Sequence, residues 1–465
     1  MKHDNNRVKI LQLKILITAL GILLLLLTLT LFMLAFGGES AERFFARETP
    51  APVPTATPFV LTNFDKIRVV ITDKKTGSIY HSNLDEWQEY AVSESEEAGM
   101  VKQGKALERT ESDAAVQTPY RGALEFIETK EGYVVINELP VEEYLYSVVP
   151  SEMPAFYPLE ALKAQAVCAR TYAYLHILTP GYPEWNAHVD DTTTYQVYHS
   201  VAEQDSTTKA VNETEGMILM APDGLSPAQT YYYSTSWGYG SDAHVWRSKY
   251  SDCYPYIKSK HINKLDPDKV LSEEEFEACI RTVNENDYEA SEPWYRWQYQ
   301  VEQIDSERMI KVLQQRYAAN EKLILTLKGN DFISQPIREQ DQVIDLRIEK
   351  RGAGGVADEL LVITGKTVYK VLTEMNIRYV LNDGCSLVKR QDGSEVKMNS
   401  LLPSGFFVLE NTYERGCIRE YKIIGGGYGH GAGMSQNAAK AMATEGMSAE
   451  EILDFFFEDC TVQRK

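Results

Sequence analysis

The chain has 465 residues, of which 44% are hydrophobic, with 47 Lys plus Arg against 67 Asp plus Glu and 6 cysteines. That length allows a sizeable core in two or three domains of roughly 150 residues each, and the composition excludes a disordered, collagen-like or disulfide-dense chain. The net charge of −20 repels phosphate backbones and sets nucleic acid aside as a partner.

Hydropathy is concentrated at the start. No residue from Ile15 to Phe36 is charged, and at about 1.5 Å per residue this run is long enough to cross a roughly 30 Å hydrocarbon core. Lys2, Arg7, Lys9 and Lys14 precede it against one acid, Asp4. The positive-inside bias then predicts a cytoplasmic tail over 1–14, a single-pass transmembrane helix over 15–36 in the cell membrane, and an extracytoplasmic remainder. The rival reading is a signal peptide cleaved near Ala35-Phe36-Gly37, although the apolar run exceeds an ordinary signal core. Residues 1–36 carry +3, which leaves −23 on the body. Four prolines between Thr49 and Pro58 predict an extended stalk within 37–58.

Residues 59–119 read as a β-rich N-terminal extension, with Lys66 to Ile71 alternating in strand fashion before a Lys75-Thr76-Gly77 turn. Residues 91–119 are polar and read as a loop or poorly packed strands. Regular structure resumes at Tyr120, and a further domain is expected over 120–465. It opens with a hairpin, Gly122 to Ile127 and Gly132 to Asn137 around Lys130-Glu131-Gly132. A helix follows, with Leu159, Leu162, Ala166, Ala169 and Ala173 on one stripe and Pro158 near its start. Residues 254–340 are more charged and read as an elaboration. There Ser272-x-x-Glu275 has capping-box form, Trp297-Tyr299-Val301 alternates like a strand and Glu307 to Tyr317 is helix-like. Strand signals return from Leu346 to Leu409, and Ser448-x-x-Glu451 caps a last helix that runs into Phe455-Phe456-Phe457. The expected fold class is α+β: a β-rich ectodomain with a few helices, preceded by one N-terminal transmembrane helix. The cysteines lie far apart without C-x-x-C spacing, which leaves one or two disulfides open but unassigned.

Three constellations can carry chemistry. Glu152 lies between Pro150 and Pro154 among apolar residues, in a segment too constrained for ordinary helix. Shielded from water, such a carboxyl has a raised pKa and acts as a general acid. The alternative is an acid complementing the dipole of the following helix. Gly425 to Gln436 holds six glycines around His430, either a ligand-facing donor on a backbone needing positive φ or a tight structural turn. Its G-x-G-x-x-A spacing is not a dinucleotide site, because too little chain follows to complete a βαβ unit. Tyr231 to Gly240, with Ser234 and Ser236, is dense in aromatics and hydroxyls; it suits a glycan groove or a plain half-buried strand equally. A serine nucleophile is disfavoured by the absence of a G-x-S-x-G elbow. His188, Asp190, Asp191 and His199 are a weak metal candidate beside a threonine run that reads more simply as loop.

The runs Val148-Val149-Pro150-Ser151-Glu152-Met153-Pro154, Leu162-Lys163-Ala164-Gln165-Ala166-Val167-Cys168-Ala169-Arg170-Thr171-Tyr172-Ala173 and Gly429-His430-Gly431-Ala432-Gly433-Met434-Ser435-Gln436 closely resemble the stage II sporulation protein D family. That family also includes the amidase-enhancer (LytB-like) proteins. Gln196-Val197-Tyr198, Ser234-Thr235-Ser236, Val245-Trp246 and Asn376-Ile377-Arg378 support the resemblance over roughly 120–460, least well at 254–340.

The resemblance implies a membrane-anchored lytic transglycosylase of sporulation or cell-wall remodelling. Its substrate would be peptidoglycan glycan strands stripped of peptide. Its catalytic acid falls on Glu152, its substrate-binding residues on Gln196, Tyr198, Ser234, Ser236, His430, Ser435 and Gln436. A cell-wall amidase and a membrane scaffold protein would be its partners, and no cofactor is expected. The alternative is a non-catalytic wall-binding protein that activates an N-acetylmuramoyl-L-alanine amidase. Some members hold a metal through cysteines where this chain has Asp190 and Tyr195, so no zinc is expected. Where the family usually has Ser-Gly-Gly this chain has Ser236-Trp237-Gly238, and Trp237 is expected to narrow or re-aim the groove.

Overall fold

The computed structural model describes residues 65–84, 87, 100–103, 120–248, 251–266, 271–337 and 341–464. The predicted cytoplasmic tail, the 15–36 segment, the proline-rich stalk and most of 91–119 lie outside the described residues. Among the described residues no helix is long and apolar enough to cross a membrane. The longest of them, Leu159–Leu178, carries Glu160, Lys163 and Arg170 and is packed inside the protein. The fold class is therefore corrected to a mixed, β-rich α+β protein, and the expected transmembrane helix is not part of the described architecture.

The first sheet is built from β1 (Lys66–Ile71), β2 (Met100–Gln103), β3 (Ala123–Glu128) and β4 (Tyr133–Pro140). Its apolar residues are buried on both faces, Ile67, Val69, Ile71 and Val135 on one and Val70, Val134 and Ile136 on the other. β3 and β4 form the expected hairpin, closed by the Thr129 N–H donating to Gly132 O at 2.8 Å. β1 inserts antiparallel against β4, with Val69 opposite Asn137. Pro140 then turns the chain directly into α1 (Val141–Glu152), whose Tyr144, Leu145, Val148 and Val149 pack on the sheet.

α2 (Leu159–Leu178) is the central helix. Its sequence stripe understates its burial, because Ala161 through Ile177 are almost continuously buried. β5 (Val189–Asp190) adds a parallel edge strand to β1, and α3 (Asp205–Glu213) packs on α1 and α2. The fully buried Arg170 guanidinium fixes this bundle through Glu142, donating to both carboxylate oxygens at 2.7 Å. β6 (Met217–Met220) and β7 (Tyr232–Tyr233) follow.

The charged middle of the chain supplies α4 (Glu273–Ile280), which starts with the Ser272–Glu275 capping box, and β8 (Trp297–Val301), which alternates buried and exposed. Next come α5 (Ser306–Ala319), β9 (Ile324–Lys328), β10 (Asp331–Ile333), β11 (Val343–Arg351), β12 (Ala357–Thr364), β13 (Val368–Leu372), α6 (Glu374–Leu381), β14 (Leu387–Arg390), β15 (Glu395–Lys397), β16 (Phe407–Glu414) and β17 (Cys417–Gly425). These strands form two antiparallel sheets, in the orders β10-β9-β13-β12-β11 and β15-β14-β8-β17-β16. Their apolar faces share one core with α5 and α6. The strand signal over 346–409 misses α6, whose helix begins only after Thr373 takes φ +71°. β17 lies between antiparallel neighbours, unlike the strand of a dinucleotide unit.

The chain then returns to its first half. β18 (Met434–Ser435) pairs parallel with β7. α7 (Gln436–Thr444) and α8 (Ala449–Phe456) pack on α2, with the expected Ser448–Glu451 capping box on α8. β19 (Thr461–Arg464) closes against β6. All six cysteines are free thiols, so neither of the disulfides left open by the sequence forms.

Candidate active site

The end of α1, the loop after β5, strand β7 and the start of α7 meet at Glu152. Contrary to the sequence expectation, Glu152 is the last residue of a regular helix that tolerates Pro150. Its place at a C-terminus also removes the dipole alternative, because the partial negative charge there disfavours a carboxylate. The Glu152 Oε1 accepts the Val197 main-chain N–H at 2.6 Å, and the Tyr232 hydroxyl donates to the same carboxyl. Among the described residues no Lys, Arg or His forms an ion pair with it. Burial dominates these bonds, and the pKa is pushed up from 4.5 to about 7. Near neutral pH this group both gives and takes a proton.

Tyr232 is the organising residue that the sequence reading passed over inside a tyrosine run. Gln196, fully buried, donates from Nε2 to the Tyr232 hydroxyl at 3.2 Å and to Ala169 O at 3.3 Å, while its Oε1 accepts from Tyr144 at 3.3 Å. Gln436 donates from Nε2 to the main-chain oxygen of Glu152 at 3.0 Å and to the Gln165 Oε1 at 3.3 Å. Gln196 and Gln436 thus brace the acid and its phenol partner.

The glycine run makes this close approach possible. Gly427, Gly429, Gly431 and Gly433 all have positive φ, and the loop lies against Tyr231–Thr235. A Cβ on Gly429 would sit 2.8 Å from the Tyr233 Cβ, and one on Gly427 2.9 Å from Thr235 O. Glycine is required there by conformation and by space. His430 is a neutral structural bridge: its Nδ1 accepts the Ala432 N–H at 3.1 Å and its Nε2 bonds Tyr232 O at 3.1 Å. Burial pushes its pKa down to about 4. Arg378, from the Asn376-Ile377-Arg378 match, donates to Leu402 O and Pro403 O and so holds the loop from below.

The remaining expected site residues divide. Ser234 is partly exposed beside Thr235, with the two hydroxyl oxygens 3.1 Å apart. Ser236 and Ser435 are buried and both bond the carboxyl of Glu289, a residue that the sequence reading did not single out. Tyr198 faces the core, donating to Asn137 at 2.7 Å. Trp237 does not narrow a groove. It is 1% exposed, stacks on Tyr239 with ring centroids 5.0 Å apart, and donates to Gly354 O at 3.1 Å.

The weak metal candidates have protein partners: His188 accepts the Arg68 N–H, Asp190 accepts from Tyr182 and Thr192, and Asp191 bonds Thr72 and Lys74. Among the described residues no cluster of three or more His, Cys, Asp or Glu is arranged to hold a metal.

Comparison with known proteins adds the following. The family described as Stage II sporulation protein matches residues 129–220, and a domain of unknown function matches 243–433. The chain is similar to the amidase enhancer of Bacillus subtilis (strain 168), 31% identical over 328 residues, which cover 68% of this chain and 40% of that protein. It is 36% identical over 138 residues to the stage II sporulation protein D of the same organism, covering 27% of this chain and 39% of the relative. An uncharacterized protein of Brachyspira hyodysenteriae is 41% identical over 130 residues, covering 27% and 34% respectively. The chain thus spans less than half the length of these relatives.

Proposed function

The chain belongs to the stage II sporulation protein D and amidase-enhancer family, and from that membership we propose that it acts on the bacterial cell wall, engaging peptidoglycan glycan strands and enhancing a cell-wall amidase. The observation that carries this reading is the match to an amidase enhancer over 68% of the chain. It supports enhancement of an amidase more directly than glycan cleavage by the chain itself. In the test, an N-acetylmuramoyl-L-alanine amidase digests intact peptidoglycan with and without the purified chain. Faster release of stem peptides supports the reading, and an unchanged rate removes it.

A second reading is favoured by one specific observation, the uncompensated carboxyl of Glu152 with its pKa near 7. Protonated Glu152 gives its proton to the glycosidic oxygen between N-acetylmuramic acid and N-acetylglucosamine as that C–O bond breaks. The carboxylate then takes the proton of the muramic 6-hydroxyl as its oxygen bonds to C1 and closes a 1,6-anhydro ring. One group suffices because the internal hydroxyl replaces water, whereas ordinary glycosidases need two carboxylates. The site fits this economy, since Glu289 contacts Ser236 and Ser435 rather than Glu152. With −23 on residues 37–465, recognition would favour neutral, peptide-free sugar over the anionic parts of the wall.

A further inference from the structure

Glu289 is a second buried acid, and it comes from the region that matches only a domain of unknown function. It has no exposed surface. Its Oε1 accepts the Ser236 main-chain N–H at 3.0 Å and the Ser435 hydroxyl at 2.7 Å. Its Oε2 bonds the Ser236 hydroxyl, whose oxygen also accepts the Gly238 N–H at 3.2 Å. Among the described residues no Lys, Arg or His lies within ion-pair distance. The charged and titratable groups around it are Glu292, itself paired with Lys440 at 2.6 Å, and the phenols of Tyr233 and Tyr157. A carboxylate with no cation in a dry site is costly, and the neutral acid is the favoured form.

The position of this clamp gives it a purpose. Ser435 precedes Gln436, which donates to Glu152, and Tyr233 follows Tyr232, which donates to the Glu152 carboxyl. Successive side chains of a strand point to opposite faces. Tyr232 therefore faces Glu152 while Tyr233 turns to the Ser435 and Glu289 side.

We infer that Glu289, as a neutral acid, is the positioning residue of the Glu152 site, clamping Ser236 to Ser435 so that β7 and the start of α7 hold Tyr232 and Gln436 against Glu152. This inference rests on the proposal that the Glu152 site binds glycan strands. Burial pushes the Glu289 pKa to about 8, so the clamp is intact at pH 7 and ionises above pH 8. The Ser236 and Ser435 hydroxyls still donate to the carboxylate, but ionisation adds a charge that no cation in this dry site balances, and that charge strains the fold around it.

The test is calorimetric titration of peptide-free glycan strands into the full chain carrying Glu152→Gln, which neither cleaves nor titrates at that position. The titration is run from pH 6 to pH 9, with and without Glu289→Gln. With Glu289 present, affinity falls by about tenfold between pH 7 and pH 9, following loss of the protonated form. With Glu289→Gln, a neutral isostere that still bonds both serines, the decline is absent. A flat profile in the Glu289 protein overturns the inference whether or not the second variant folds. So does the same decline in both proteins. Absence of binding at every pH removes the proposed function itself, and the clamp with it; binding without the pH effect removes the clamp alone.

Discussion

Glu152 accepts the main-chain N–H of Val197 at 2.6 Å, a bond that joins the end of α1 to the loop carrying Gln196. That bond and the Tyr232 hydroxyl favour the carboxylate, burial opposes it, and the balance lies at about pH 7. A general acid must hold its proton, so in the cleavage reading kcat/KM for anhydro-end formation falls about tenfold per pH unit above pH 7. Tyr232→Phe removes a bond to the ionised form and moves this alkaline limb to higher pH. A limb that stays in place would mean that the phenol does not tune the acid. Rates measured across pH 5 to 9 for both proteins decide the point.

Stability carries its own pH signature. Glu152 and Glu289 have folded pKa values raised to about 7 and about 8, so their contribution is full below the unfolded value near 4.5 and is lost as pH rises through 7 to 8. His176, His188 and His430 are depressed to about 4. Their contribution is present above the unfolded value of 6.5 and is lost as pH falls through 4. Between pH 4.5 and 6.5 the two effects oppose each other. Above pH 6.5 the acids slope, and so does His244, whose pKa its bond to Asp252 raises, so Tm declines by several degrees to pH 8. Glu289→Gln flattens that decline in a calorimetric scan, and an unaltered slope would assign it to other groups.

Two glycines separate conformation from space. Gly77 has φ +68° and open space, with nothing within 4 Å of the position a Cβ would take, whereas Gly429 has φ +113° and faces the Tyr233 Cβ. We expect Gly77→Ala to cost about 1–2 kcal/mol, the left-handed penalty alone. Gly429→Ala should cost at least about 3 kcal/mol, because strain and overlap act together. Urea unfolding of both proteins gives the comparison, and equal costs would show that the glycine loop yields freely.

Local pattern carried much of the fold. The two capping boxes, the alternation of β8 and the hairpin at Lys130-Glu131-Gly132 each rest on residues within a few positions of one another. Glu152 was also legible, since a lone acid between prolines and apolar residues signals its environment. Its helical setting was not, because a proline deprives the carbonyl four residues before it, here Tyr146, of its N–H partner and ordinarily breaks a helix, whereas α1 runs past Pro150 to Glu152. Gln196 and Gln436 came forward as site residues and do brace the acid, while Tyr198 came with them only through the shared motif and turned inward. Glu289 and Tyr232 could not be found from spacing. One sits in a charged stretch where any acid looks solvated, and the other is the middle of three tyrosines whose alternation matters only once β18 pairs beside it.

The central claim is that the Glu152 site works on glycan strands, and its most direct test is digestion of peptide-free strands with mass spectrometry of the ends. In the cleavage reading the wild-type chain generates 1,6-anhydromuramyl ends, and Glu152→Gln lowers the rate by about 10²–10⁴-fold, the usual contribution of a general acid, while glycan binding persists. Strands that emerge intact from the wild-type chain, or anhydro ends formed equally by Glu152→Gln, would contradict that chemistry. Intact strands that are nevertheless bound, beside a faster amidase, would leave enhancement as the function of the site.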